Sequence, residues 1–101
     1  MRRTIYHYSY GPQVNLSDVR DTFRLAYLAT QSVYGHRRAL LEANFDLDDA
    51  DRSGWIDARN DVGQHLHRVF MGYLRREFGD DHFTVRAGTE TPRGESICVP
   101  A

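Results

Sequence analysis

Oxygen-bearing side chains recur at alternate positions in the most acidic stretch of the chain. Asp49, Asp51 and Ser53 stand two residues apart, and Asp57 follows four residues later. A hard cation such as Ca²⁺ takes roughly six to eight oxygen ligands, which carboxylates, hydroxyls and backbone carbonyls supply. The spacing of these four side chains, within residues 49–60, would deliver several oxygen ligands to one such cation.

The same stretch resembles the twelve-residue calcium loop of the EF-hand family. Its first three oxygen donors match loop positions one, three and five, and Gly54 matches the glycine of the sharp turn. The resemblance implies that all four side chains are the metal ligands of this loop, with Asp57 at position nine. Two features depart from the family pattern: position twelve is Asn60 instead of a bidentate glutamate, and the preceding residues alternate like a strand. The alternative interpretation is an acidic β-hairpin turn, since Asp, Ser and Gly are also favoured in turns.

A second set of residues resembles parts of the pterin synthase family, namely 6-pyruvoyl-tetrahydropterin synthase and its queuosine-pathway relatives. The similar segments are Gly35-His36, residues 53–57 and Glu90-Thr91. That family holds zinc with three histidines, so the resemblance implies His36 and, by a looser match, His7 as ligands. Tyr34 stands where the family has its remaining histidine, which leaves two ligands where a catalytic zinc site needs three. A divergent pterin-synthase-like zinc enzyme is therefore an alternative function.

Composition excludes several classes of function. The chain has 101 residues and a formal net charge of −1, and all of its basic residues are arginines. Without lysine, Schiff-base chemistry has only the N-terminal amine. A near-neutral charge is unlike that of a nucleic-acid-binding domain, and no apolar run reaches the roughly 20 residues of a membrane span. The single cysteine, Cys98, excludes an internal disulfide framework. We expect a cytoplasmic protein with neither a membrane nor a nucleic-acid partner.

Hydropathy patterns predict four strands and two helices. Period-two alternation indicates strands, a stripe at helical spacing indicates a helix, and glycines close both helices. Ser17 is the expected N-cap of the first helix, and Asp61 with Gln64 resembles a capping box at the start of the second. The predicted elements are a strand at 4–10, a helix at 17–34, strands at 38–48 and 55–59, a helix from 61 to about 78, and a strand at 82–87.

This order of elements predicts an α+β fold. The sequence strand-helix-strand-strand-helix-strand is that of split βαβ, or ferredoxin-like, domains, in which two helices cover one face of a four-stranded antiparallel sheet. The first strand and the strand with Trp55 are then central. We assign residues 1–87 to a single domain and 88–101 to a C-terminal tail, where 96–99 is a candidate short strand.

The first strand allows two registers with different functional consequences. If Tyr6, Tyr8 and Tyr10 point inward, His7 and Asp57 share the open sheet face on neighbouring strands, where a base and its orienting carboxylate could meet. In the opposite register the three tyrosines face outward and resemble the base-stacking platform of an RNA-recognition domain. His65 and His67, two residues apart on the second helix, point about 200° apart and cannot chelate one ion together.

Apolar residues exceed what two helices need to cover one sheet. Leu25 and Leu28 on the first helix and Met71 on the second fall outside the main apolar stripes. Contiguous exposed apolar surface usually marks association. We expect these three residues to form an interface, and the chain to be a non-enzymatic interaction or regulatory module that acts as a homodimer and binds a further protein. The sequence assigns no catalytic residue and no cofactor other than the candidate calcium ion.

Overall fold

A computed structural model describes residues 4–88 of the chain. The protein is α+β, with a four-stranded antiparallel sheet and three helices. A 3₁₀ turn at Asp80–His82 precedes the last strand. The elements are β1 (Ile5–Tyr10), α1 (Leu16–Tyr34), α2 (His36–Glu42), β2 (Phe45–Asp48), β3 (Ser53–Asp57), α3 (Asp61–Phe78) and β4 (Phe83–Gly88).

The sheet has the strand order β2-β3-β1-β4, and every pair of neighbours is antiparallel. Tyr8 on β1 lies opposite Gly54 on β3 and Val85 on β4. The prediction that the first strand and the Trp55 strand occupy the two central positions is therefore confirmed. Central strands are paired along both edges, which makes β1 and β3 the rigid base for neighbouring side chains.

The core lies between one face of the sheet and helices α1 and α3. Tyr8 and Tyr10 are buried there, and Tyr6 packs against the same cluster. Phe70 on α3 joins the two halves of the core, because its ring contacts both Tyr8 and Phe23. The inward register of β1 is confirmed. The outward register, with its platform for stacking bases, is wrong because helices cover the tyrosines.

The predicted strand at 38–48 is wrong over its first part. The chain forms a short helix there, and only β2 is extended. Gly35, with a φ of 91°, separates this helix from α1. Ala39 is its one buried residue, and an exposed ion pair between Arg38 and Glu42 spans one helical turn. A helix that buries a single side chain shows no 3.6-residue hydropathy period. The apolar residues at alternate positions therefore indicated a strand where the chain forms a helix.

The N-capping residues of the helices differ from the predictions by one or two positions. Asn15, not Ser17, caps α1, and its side-chain oxygen accepts a hydrogen bond from the Ser17 amide. Asn60 caps α3 by accepting from the Gly63 amide. Gln64 does not complete a capping box, because its side-chain amide donates to the carbonyl of Ala58. Asparagine is as good an N-cap as serine or aspartate, so composition alone does not choose between adjacent candidates.

The acidic stretch is the turn of a hairpin between β2 and β3, as the alternative interpretation of the sequence had it. Four residues connect the strands, and Arg52 at the end of the turn has a φ of 52°. Because the turn closes there, β3 begins at Ser53, two residues before the predicted start. Gly54 lies in extended backbone within β3, where an added Cβ would meet the carbonyl oxygen of Asp46 at 2.9 Å.

The described residues include 4–87 of the segment assigned to a single domain, 1–87. Of the predicted tail, only Gly88 falls within residues 4–88, as the last residue of β4, so the candidate strand at 96–99 lies outside the described residues. None of the helices within residues 4–88 is both long and apolar enough to cross a membrane.

Candidate functional site

A polar cleft of about 350 Å³ lies where the chain leaves β3 and enters α3. Ligand pockets commonly range from about 300 to 1,000 Å³, so its size suits a small molecule. Residues of α1, the β3–α3 connection and the first two turns of α3 form its walls. The lining residues are Tyr34, Ala58, Arg59, Asn60, Asp61, Gln64, His65 and Arg68.

A bidentate ion pair fixes one arginine of the cleft. Nε and Nη2 of Arg59 donate to the two carboxylate oxygens of Asp57 at 2.9 and 2.6 Å, and the Arg59 amide donates to the same carboxylate. Asp57 is only 6% exposed. Burial alone would raise the pKa of Asp57, but the hydrogen bonds and charge of Arg59 outweigh it and hold the pKa below its usual value. Asp57 therefore stays ionised and anchors the guanidinium.

One helical stripe presents the other polar side chains of the cleft. Asp61, Gln64, His65 and Arg68 stand at intervals of three, one and three residues, which places them on one side of α3. Arg68 is exposed and has no ion-pair or hydrogen-bond partner among residues 4–88. It is therefore available to a ligand.

Aromatic contacts close the side of the cleft formed by α1. The ring of Tyr34 meets the His65 imidazole edge-on, with ring centroids 5.6 Å apart. On Tyr34, the guanidinium carbon of Arg38 lies 4.9 Å from the ring centroid, within cation–π range. The three side chains link α1, α2 and α3 beside the cleft.

A second cluster lies beneath α3, around a partly buried histidine that the cleft does not use. The His67 ring stacks on Tyr6 with centroids 3.5 Å apart and planes 3° from parallel. Its Nδ1 lies 2.5 Å from the Tyr8 hydroxyl. Burial, with smaller contributions from the charges of Arg68 and Arg75, lowers the pKa of His67 to about 4. Burial also raises the pKa of Tyr8, so its hydroxyl keeps its proton and can donate it to the neutral imidazole.

The four expected calcium ligands lie at opposite ends of β3: three at or before its first residue, and Asp57 at its last. Asp49 pairs with Arg20 of α1, and Ser53 donates to the carboxylate of Asp51 at 3.0 Å. Asp57 stands at the other end of β3 in its ion pair with Arg59. Within residues 4–88, no three His, Cys, Asp or Glu side chains lie close enough together to hold a metal.

The residues that resemble pterin synthases are likewise dispersed. His36 begins α2 and shares a hydrogen bond of 2.9 Å with Gln31. His7 lies on β1 opposite Trp55, and Asp57 lies opposite Ile5, so the expected base and carboxylate are in adjacent strands but not opposite each other. The segment at 90–91 lies outside the described residues.

The three expected interface residues differ in their surroundings. Leu25 and Leu28 are 59% and 51% exposed on α1. Met71 is half-buried and packs against the hydrophobic core, so it offers less free surface than the two leucines. Of the three, the two leucines are the ones whose apolar side chains are exposed.

Comparisons of this chain with protein-family models, with curated proteins and with solved structures found no significant match. The cleft was missed at the level of sequence because its residues come from α1, a loop and α3. The feature of the sequence that indicates the cleft is the grouping of Gln64, His65 and Arg68 on the polar side of an amphipathic helix.

Proposed function

We propose that this protein is a small non-enzymatic interaction module that acts as a homodimer through the outer side of α1. The observation that carries the proposal is the exposure of Leu25 and Leu28, which lie three residues apart on a helix whose opposite side is in the core. Single exposed leucines are ordinary, but adjacent ones on a helix form a continuous apolar strip.

The strip belongs to a longer pattern that suits helix pairing. Asp18, Asp21, Leu25, Leu28 and Ser32 follow at alternating intervals of three and four residues, and we call them the α1 outer stripe. This spacing is that of the a and d positions in helices that pack side by side. A two-fold axis near the leucines would place them against the same leucines of a second copy, as an isologous interface requires.

Charge along the stripe favours an antiparallel pair. Its N-terminal end carries Asp18 and Asp21, the second of which pairs with Arg24, whereas Arg37 is exposed just beyond its C-terminal end and has no ion-pair partner among residues 4–88. Antiparallel pairing brings the acidic end of one α1 toward the basic end of the other. Attraction between these ends would favour this orientation over the parallel one.

We also propose that the fold is the split βαβ, or ferredoxin-like, arrangement. Support comes from antiparallel neighbours throughout the sheet and from the order β2-β3-β1-β4, which places β1 beside β3 and leaves β2 and β4 at the edges. The helix α2, inserted between α1 and β2, is an addition to the six-element pattern. In this arrangement the α1 outer stripe faces away from the sheet and is free for association.

Leu28→Glu is expected to convert the dimer to a monomer with little change in stability. Two glutamates at a symmetric contact would bury like charges, whereas on a solvent-exposed helix a single substitution changes the free energy of unfolding by about 0.5 kcal/mol or less. Size-exclusion chromatography with light scattering measures the assembly, and thermal unfolding measures stability.

Leu41→Glu is the matched control, because Leu41 is 74% exposed on α2, outside the stripe. It should leave the dimer intact. A wild-type protein that is monomeric at high concentration would contradict the proposal, as would an equal loss of dimer in both variants.

A further inference from the structure

We propose that the cleft between β3 and α3 binds the phosphate group of a small aromatic phosphate monoester, with Arg59, His65 and Arg68 as its contacts. This site is separate from the α1 outer stripe and does not depend on the dimer. The three side chains line the same cavity of about 350 Å³.

The hydrogen-bond donors of the lining suit an anion. Two guanidinium groups and an imidazole face the cavity, against one carboxylate, that of Asp61. The buried carboxylate of Asp57 stands behind Arg59 and is already engaged by it. Arg68, by contrast, has no partner side chain within the described range, so its guanidinium can bind an anion without breaking an existing ion pair.

Arg59 is held in place before any ligand arrives. Its Nε and Nη2 bind Asp57, which leaves Nη1 without a hydrogen-bond partner among the described residues. A fixed arginine loses less side-chain entropy on binding than a free one, because part of that cost is met in folding. The arrangement resembles the use of a carboxylate to orient an arginine for an incoming oxyanion.

The spread of donors favours phosphate over carboxylate. Arg59 approaches from the β3–α3 connection, whereas His65 and Arg68 approach from one side of α3, three residues apart. A tetrahedral phosphate offers three oxygens to donors that converge from different directions, whereas a carboxylate offers two in one plane. The helix terminus itself is not the basis of the site, because Asn60 already accepts the hydrogen bond of the Gly63 amide.

The organic part of the ligand would contact the two aromatic rings that line the cleft. Tyr34 and His65 present ring surface to the cavity, and their edge-on contact keeps both rings in position. An aromatic group attached to the phosphate could stack or meet these rings edge-on, which is the arrangement that aromatic pairs prefer.

The experiment is a titration of the isotope-labelled full chain with phenyl phosphate, followed by amide NMR shifts. Saturable shifts are expected at the cleft residues, with weaker binding of inorganic phosphate and of benzoate. Arg68→Gln should weaken the binding of phenyl phosphate roughly ten- to hundredfold, as expected for the loss of charged hydrogen bonds. Arg76→Gln is the control, because Arg76 is an exposed arginine of α3 that does not line the cleft.

Three results would overturn the proposal. The first is the absence of saturable shifts with phenyl phosphate, and the second is an equal loss of affinity in Arg68→Gln and Arg76→Gln, which indicates only non-specific attraction. The third is benzoate binding as tightly as phenyl phosphate, which removes the argument for phosphate. Circular dichroism of both variants confirms that they are folded, so that loss of binding is not loss of structure.

Discussion

Gly63→Ala is expected to destabilise the domain by about 3 kcal/mol or more, which is a large share of the roughly 5–15 kcal/mol that stabilises a folded domain. A Cβ at this position would overlap the backbone carbonyl oxygen of Asp57 and lie 2.9 Å from its carbonyl carbon. Backbone atoms of a central strand cannot move aside as the end of a flexible side chain can. The overlap can therefore be relieved only if the start of α3 shifts away from β3.

Gly72→Ala is the matched control for this experiment, since both glycines lie in α3. An added Cβ at Gly72 has no neighbour within 4 Å. Alanine is the better helix former by about 1 kcal/mol, so Gly72→Ala should stabilise the protein slightly. Urea unfolding of the two variants gives opposite shifts in midpoint if the close approach at Gly63 is real. A stable Gly63→Ala protein would contradict the packing of α3 against β3.

The close approach at Gly63 also positions the candidate site. It brings the first turn of α3 against the end of β3, so that the connection carrying Arg59 lies beside the helix that carries His65 and Arg68. A shift of α3 that accommodated a Cβ would widen the cleft. The folded fraction of Gly63→Ala should therefore bind phenyl phosphate more weakly than the wild-type protein does.

The elements that could be predicted from sequence are those with a repeated hydropathy signal. β1 alternates tyrosines with other residues, and α3 carries an apolar stripe over five turns, so both agree with expectation. The helix α2 could not be predicted, because it has seven residues and buries only Ala39. Its position depends on Gly35, whose positive φ separates it from α1, and on contacts with elements distant in sequence.

The residues of the candidate site also divide into those that sequence patterns indicate and those that only the folded structure brings together. Asp49, Asp51 and Ser53 resemble a metal-binding motif because they are close in sequence, yet the hairpin turn accounts for their spacing. Arg59 and Arg68 carry no sequence motif, since their relation arises only when α3 packs on β3. Leu25 and Leu28 were identified correctly as exposed because a helical wheel places them opposite the core, whereas Met71 lies near the edge of its stripe, where side-chain length lets it reach the core.

Lowering the pH from 6.5 to 4 is expected to reduce the free energy of unfolding by about 2 kcal/mol through His67 alone, after allowance for its partial exposure. The pKa of His67 is about 4 in the folded protein and about 6.5 in an unfolded chain. Between these values the unfolded chain binds a proton that the folded protein does not, so acid favours unfolding. The carboxylate of Asp57, whose pKa is lowered, adds a further loss only at still lower pH, below its usual value of 3.8.

His67→Gln should flatten this pH dependence, because glutamine does not titrate and its side-chain oxygen can still accept from the Tyr8 hydroxyl. The variant should be less stable than wild type near pH 7, where it lacks the stacked ring on Tyr6, but the difference should shrink toward pH 4. Thermal unfolding across this range, with the NMR titration of the His67 ring, measures both effects. If the wild type and His67→Gln lose stability in parallel between pH 6.5 and 4, then His67 is accessible to protons in the folded state, and the packing of α3 over Tyr6 and Tyr8 is looser than described.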